Sequence, residues 1–292
     1  MMDKQGSEFL VSTDWLSERL QDSNIRIFDC TTILKPDESG KLTAESGLFD
    51  WQQGHIESSN YIDLMNNLSI TDHRFRFMCP PLNQVHETFA NYGISDDSEV
   101  ILYDRSGNSW AARIWWMLRS IGFDSAKILN GGYRKWTIEG RPVTKSSDFY
   151  APGNLTFTPR PELFVDMDSV LQAVDEESTC LINALHEDQH LGLDHGRTYG
   201  RPGHIPTSIN IPANAMINVQ THEYLAPKEL QLIVNQKIPT DSSQIITYCG
   251  GGIAASNDAF VLTMLGYQNV AIYDASLSEW ATDETLPMVT TI

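Results

Sequence analysis

The stretch Gln244-Ile-Ile-Thr-Tyr-Cys249-Gly-Gly-Gly-Ile-Ala-Ala255 decides how the chain is read. Ile245, Ile246 and Tyr248 make a short β-rich apolar run, as expected of a strand buried in a parallel sheet. Three glycines follow the cysteine. Behind them Ile253, Phe260, Leu262 and Leu265 carry a helical pattern that Gly266 stops. Strand, glycine loop and helix N-terminus place Cys249 at the carboxyl edge of a parallel sheet, where open α/β folds bind ligands. The amides of Gly250, Gly251, Gly252, Ile253, Ala254 and Ala255 are expected to converge on one point beside the sulfur, as an anion nest. The helix end adds free N–H groups and partial positive charge. Such surroundings favour a thiolate and would equally hold a persulfide, Cys–S–S⁻. A lone cysteine at a strand end is ordinarily core, but a loop that only reverses direction rarely needs three glycines. The expected chemistry is a nucleophilic cysteine that takes sulfur from a donor and passes it on.

Working outward, the 292 residues predict about two domains. The chain is 41% hydrophobic and 20% charged, ample for two cores. Its formal net charge is −18, which argues against nucleic acid and anionic membranes as partners. An anionic substrate would therefore need a locally positive pocket. Cys30, Cys79, Cys180 and Cys249 lie far apart without metal-ligand spacing, so a reducing, cytoplasmic setting is expected. The first residues lack the apolar core of a signal peptide, and no run approaches the length of a membrane span.

Laid against itself, the chain repeats. Gly54-His55-Ile56 is answered by Gly203-His204-Ile205, and Val100-Ile-Leu-Tyr-Asp104 by Ile245-Ile-Thr-Tyr-Cys249. Lys127-Ile-Leu-Asn-Gly-Gly132, with Trp136, is answered by Val270-Ala-Ile-Tyr-Asp-Ala275, with Trp280. Matched positions lie about 145 residues apart, far beyond the period of a solenoid. Two tandem α/β domains follow, each a small parallel sheet covered by helices. The expected division is 1–145, a Pro-rich linker at 146–162, and 163–292. Asp104 stands at the cysteine position of the first copy and cannot carry sulfur, so only the second copy is expected to be catalytic. Two like domains also create an interface, a preferred place for a pocket.

With these motifs assembled, the sequence resembles the two-domain rhodanese family of sulfurtransferases over nearly its whole length. The resemblance rests on Ala111-Ala-Arg-Ile-Trp-Trp-Met-Leu-Arg119, Leu129-Asn-Gly-Gly-Tyr-Arg-Lys-Trp136, Arg201-Pro-Gly-His-Ile-Pro-Thr-Ser-Ile-Asn-Ile-Pro212, the Cys249 loop and Ile272-Tyr-Asp-Ala-Ser-Leu-Ser-Glu-Trp280. It implies that Cys249 attacks a sulfane-sulfur donor, 3-mercaptopyruvate or thiosulfate, and passes the sulfur to cyanide, a thiol or a protein. No cofactor or metal is implied. The position six after Cys249 is Ala255, not the arginine that phosphate-processing relatives need. Cations usual after the cysteine in thiosulfate enzymes are replaced by Gly250 and Gly251. The Ser/His/Asp relay of the mercaptopyruvate branch falls on Gly251, Phe77 and Met65, and the usual loop threonine on Ala254. Of two carboxylate-binding arginines, one position holds Gln189 and the other Arg197, with Arg201 a nearby substitute.

Several other residues have plainer readings. His186, His190 and His195 have poor metal-ligand spacing. His55 and His204 occur in both copies and suit structural hydrogen bonds. Asp274, matched by Asn130, either braces the active loop or caps a strand end. Trp115, Trp116, Trp136 and Trp280 read as core. Two other functions fit the same residues: a sulfur carrier loaded by a partner protein, and a degenerate binding module.

Overall fold

The apolar runs Ile25–Asp29 and Glu99–Tyr103 lie side by side at the centre of the first domain, with Ile101 and Leu102 wholly buried. The structure, a computed structural model, describes residues 8–38, 42–146, 149–193 and 199–291. Strands of the first copy are β1 (Leu10–Val11), β2 (Ile25–Asp29), β3 (Thr32–Pro36), β4 (Leu42–Ser46), β5 (His55–Ile56), β6 (Ser59–Tyr61), β7 (Glu99–Tyr103), β8 (Ala126–Leu129) and β9 (Val143–Thr144). Its helices are α1 (Thr13–Ser17), α2 (Leu48–Gln53), α3 (Leu64–Asn67), α4 (Leu82–Asn91), α5 (Ser109–Ser120) and α6 (Gly132–Ile138). Five strands make one parallel sheet in the order β1-β8-β7-β2-β6. β3 and β4 form a separate antiparallel hairpin.

The second copy contains β10 (Phe164–Val165), β11 (Thr179–Asn183), β12 (Ile209–Asn210), β13 (Gln244–Tyr248) and β14 (Val270–Tyr273). Its helices are α7 (Met167–Val174), α8 (Glu187–Leu191), α9 (Pro227–Asn235), α10 (Ile253–Met264) and α11 (Ser276–Trp280). The parallel sheet runs β10-β14-β13-β11-β12. Strand for strand this is the topology of the first copy, as the internal repeat anticipates. Ser12 caps α1 by accepting a hydrogen bond from the Trp15 amide, and Gly266, at φ +90°, follows the end of α10.

α5 and α10, the two helices that follow the twin loops, pack against each other and join the domains. α10 is buried nearly all round, from Ala255 to Leu262, because the sheet covers one face and α5 another. Phe260 meets Trp115 edge-on at 5.0 Å between ring centres, and Phe9 and Tyr224 close around it. One apolar core therefore runs through both domains. The four tryptophans read as core are all buried, with Trp136 Nε1 and Trp280 Nε1 donating to the carbonyls of Pro142 and Pro287. Residues 149–160 carry no helix or strand. They are tied along the first domain, Tyr150 Oη accepting the Ile27 amide and Ser120 O accepting that of Arg160. No helix among the described residues is long and apolar enough to cross a membrane.

Candidate active site

β13 delivers Cys249 to the carboxyl edge of the second sheet, and the chain turns at once into α10. Gly252 takes φ +79° to make that turn, a left-handed conformation that glycine adopts freely. A side chain there would meet Asp274 O at 2.9 Å and Arg113 Nη1 at 3.2 Å. A Cβ on Gly250 would fall inside the ring of Tyr199. Two of the three glycines thus answer close approaches. Thr247 Oγ1 donates to Ala255 O at 3.0 Å, tying strand to helix. The first amide of the helix to find an intrahelical partner is Ser256 N, which donates to Gly252 O at 3.2 Å. The amides before it, from Gly250 to Ala255, belong to the loop and the first helical turn, whose N–H groups lie ahead of the helical ladder.

The other side of the loop is held by α11. Leu277 N donates to Cys249 O at 3.1 Å, and both the amide and hydroxyl of Ser278 donate to Gly250 O, at 2.9 and 2.6 Å. Ser276 Oγ accepts the Cys249 amide at 3.1 Å and donates to Tyr273 O at 2.7 Å. Ser276 has φ +54°, where its twin in the first copy is Gly132 at φ +53°.

The matching loop of the first copy shows what such backbone can hold. The Asp104 carboxylate turns back into its own loop and accepts four amides: Ser106 N and Asn108 N on Oδ1 at 2.8 and 3.0 Å, and Trp110 N and Ala111 N on Oδ2 at 2.9 and 3.1 Å. An anion occupies the centre of this nest. Its outer side is covered by the second domain, where His222 O accepts Asn108 Nδ2 at 2.7 Å.

Over Cys249 the cover is different, and a cleft of about 450 Å³ remains between the domains. Cys249, Gly250, Gly251, Ile253 and Ala254 form its floor, and Gly252 and the buried Ala255 lie behind them. The first domain supplies a wall from Thr31 to Leu34, with Arg76, Phe77, Arg105, Ser106 and Ser109; Tyr199 and Ser278 come from the second. Arg105 is held by Asp29 at 3.0 Å and by Gly54 O at 2.7 Å, and lies over the Tyr133 ring. Burial raises the Asp29 carboxyl, and the Arg105 guanidinium opposes that shift. The other thiols lie outside this cleft. Burial pushes Cys79 up to about 12 and Cys180 to about 11, and Cys30 well above the usual range.

Arg113, on α5 of the first domain and fully buried, reaches across the interface. It pairs with Asp274 at 2.6 Å and donates to Phe77 O at 2.7 Å, while Asp274 Oδ2 accepts the Cys79 amide at 2.7 Å. Asp274 is thereby tied to the first domain by Arg113 and by the Cys79 amide.

Arg201 is placed elsewhere than the substrate-binding expectation has it. Its guanidinium is taken up by the carbonyls of Trp280, Ala281, Asp283 and Leu286, and it does not line the cleft. A guanidinium satisfied by four carbonyls serves as a strut for the C-terminal segment. Arg197 and His195 lie outside the described residues. His190 stacks on His204 at 3.8 Å, and its carbonyl accepts His204 Nδ1 at 2.7 Å, matching Trp51 and His55 of the first copy. The cleft residues missed from the sequence are Arg76, Arg105, Ser106, Ser109 and Tyr199. Arg76 did carry a signal, since it adjoins Phe77, already aligned with the site.

Comparison with known proteins agrees with this architecture. A family model described as a rhodanese-like domain matches residues 12–139 and again 168–283. The chain is 30% identical to "Thiosulfate/3-mercaptopyruvate sulfurtransferase 2" of Arabidopsis thaliana, over 97% of this chain and 87% of that one. It is also 30% identical to "Sulfur carrier protein TtuD" of Thermus thermophilus, over 94% and 93%. The crystal structure of SseA from Escherichia coli, described among 3-mercaptopyruvate sulfotransferases, superposes with a TM-score of 0.77 at 26% identity, covering 93% of this chain and 99% of that one. With the domain matched in both halves of its length, the chain belongs to the rhodanese-like family.

Proposed function

We propose that the protein is a sulfurtransferase that moves sulfane sulfur from a small donor, 3-mercaptopyruvate or thiosulfate, to a thiophilic acceptor through a persulfide on Cys249. The observation that carries this reading is the Asp104 carboxylate resting on four amides in the twin loop. The corresponding loop of the second copy, one residue shorter between strand and helix, has a cysteine in that place and opens onto a cleft. In this reading the loop amides serve the anionic sulfur as the first-copy amides serve a carboxylate.

With thiosulfate, the Cys249 thiolate attacks the outer sulfur, the donor's S–S bond breaks, and sulfite leaves with the electron pair. With 3-mercaptopyruvate the C–S bond breaks, and the enolate that leaves takes up the donor's thiol proton at carbon to become pyruvate. Either step leaves Cys–S–S⁻. Cyanide, a small thiol or a protein thiol then removes the outer sulfur and regenerates the thiolate. A cytoplasmic setting belongs to the same proposal, supported by four dispersed cysteines, all free. So does the division at 146–162.

A second reading, a carrier loaded by a partner protein, is favoured by the Thermus relative named as a sulfur carrier. Intact-mass measurement after incubation with each donor tests both. A gain of about 32 Da in the wild type, absent in Cys249→Ser, is the expected result. No gain with either small donor, but a gain with a persulfidated protein, moves the assignment to the carrier.

A further inference from the structure

In a chain of net charge −18, the cations that line the cleft above Cys249 come from the catalytically empty domain. Arg76 and Arg105 line it, with Asp50 the opposing acid among the lining residues. They are not equivalent. Arg105 is committed to Asp29, Gly54 O and the face of Tyr133. Arg76 makes no ion pair among the described residues, and its side chain is exposed with the guanidinium 5.8 Å from the Phe77 ring centre. Its carbonyl lies 3.9 Å from where a Gly251 side chain would begin, so its backbone borders the nucleophile's own loop.

That backbone is fixed. Phe77 O accepts Arg113 Nη2, the Phe77 ring packs edge-on against Trp110 at 5.4 Å, and the Cys79 amide is bonded to Asp274. A fixed backbone carrying an exposed guanidinium without an ion pair, in the cleft that holds the cysteine, is a means of holding an anion while its other end meets the sulfur. Ser106 and Ser109 line the same cleft.

We infer that Arg76, supplied by the first domain, is the anion-recognition residue of the cleft, holding the carboxylate or sulfonate end of the molecule that reacts with Cys249. The inference rests on the reading of Cys249 as the reacting nucleophile. It assigns the inert domain a share in substrate selection.

The test compares alkylation of Cys249 by iodoacetate and by neutral iodoacetamide, read at the Cys249 peptide by mass spectrometry, in wild type, Arg76→Gln and Arg76→Lys. In both reactions the thiolate displaces iodide, so the reagents differ chiefly in the charge of the group carried. The iodoacetate-to-iodoacetamide rate ratio is expected to fall about two- to five-fold in Arg76→Gln, as for an exposed ion pair. Arg76→Lys and wild type should both keep a ratio that declines with added salt. In steady state, KM for thiosulfate should rise in Arg76→Gln with a smaller change in kcat. An unchanged ratio, or equal slowing of both reagents, overturns the assignment. Because alkylation needs no sulfur donor, failure to form a persulfide would count against the proposed function and leave this result standing.

Discussion

The glycines of the Cys249 loop are not equivalent, and substitution should separate them. Gly252 lies at φ +79° with Asp274 O where a methyl group would go. Gly252→Ala therefore combines a left-handed alanine, about 1–2 kcal/mol, with a backbone clash, and should lower the melting temperature and slow sulfur transfer. Gly251 has ordinary space around it, the nearest atoms standing 3.8 Å and 3.9 Å from its Cβ position. Gly251→Ala should melt within about 0.5 kcal/mol of wild type. Equal losses in the two variants, measured by thermal unfolding, would contradict this account of the loop. Asn108 is the twin of Gly252 at the start of α5, at φ +72°, and asparagine is among the residues that tolerate that region. A run of glycines in the sequence signals a tight loop, but which glycine meets which neighbour depends on Tyr199 and Asp274, brought in from far along the chain.

Among the elements, α2 and α8 precede the matched histidine turns and treat them differently. In the first copy His55 stacks on Trp51 at 4.1 Å; in the second His204 stacks on His190 at 3.8 Å. Burial, with the nearby charges of His204 and Lys237, lowers His190 to about 4. Its folded value thus lies below the ordinary value near 6.5, so the associated stability is fully present above pH 6.5 and is lost as the pH falls toward 4. His190→Trp, which copies the first domain, should remove most of this acid sensitivity. Urea unfolding at pH 7.5 and 4.5 checks it: the wild type should lose stability between the two and the variant much less. The repeated Gly-His-Ile turn was legible as structural from its presence in both copies. The stacking partner was not, because His190 and His204 stand 14 residues apart in sequence where Trp51 and His55 stand 4 apart.

Across the whole molecule, the Arg113–Asp274 pair joins the domains directly beneath the active loop. Arg113→Met would leave a buried carboxylate with the Cys79 amide but without its cation, and should cost about 3–5 kcal/mol. The double variant Arg113→Met/Asp274→Leu removes both charges and should recover most of that loss. Denaturant unfolding of the two single variants and the double is the check, and a double variant as unstable as the sum of the singles would rule out the coupling. Much of this molecule can be read along the chain. Strand, loop and helix around Cys249, the duplication and the aspartate at the cysteine position of the first copy, Asp104, all follow from patterns of apolar residues, glycines and spacing. Those patterns act through local backbone geometry and survive without knowledge of neighbours. The surroundings of Cys249 do not. Arg201 reads as a binding residue by its nearness in sequence to Arg197, yet four carbonyls near the C-terminus consume its donors. Arg76, Ser106 and Ser109 reach the cleft only because α5 and α10 pack face to face and swing one domain's edge over the other's. Whether an arginine is a strut or a free charge is set by which carbonyls and carboxylates the folded chain brings within hydrogen-bonding reach, and sequence distance carries no record of that.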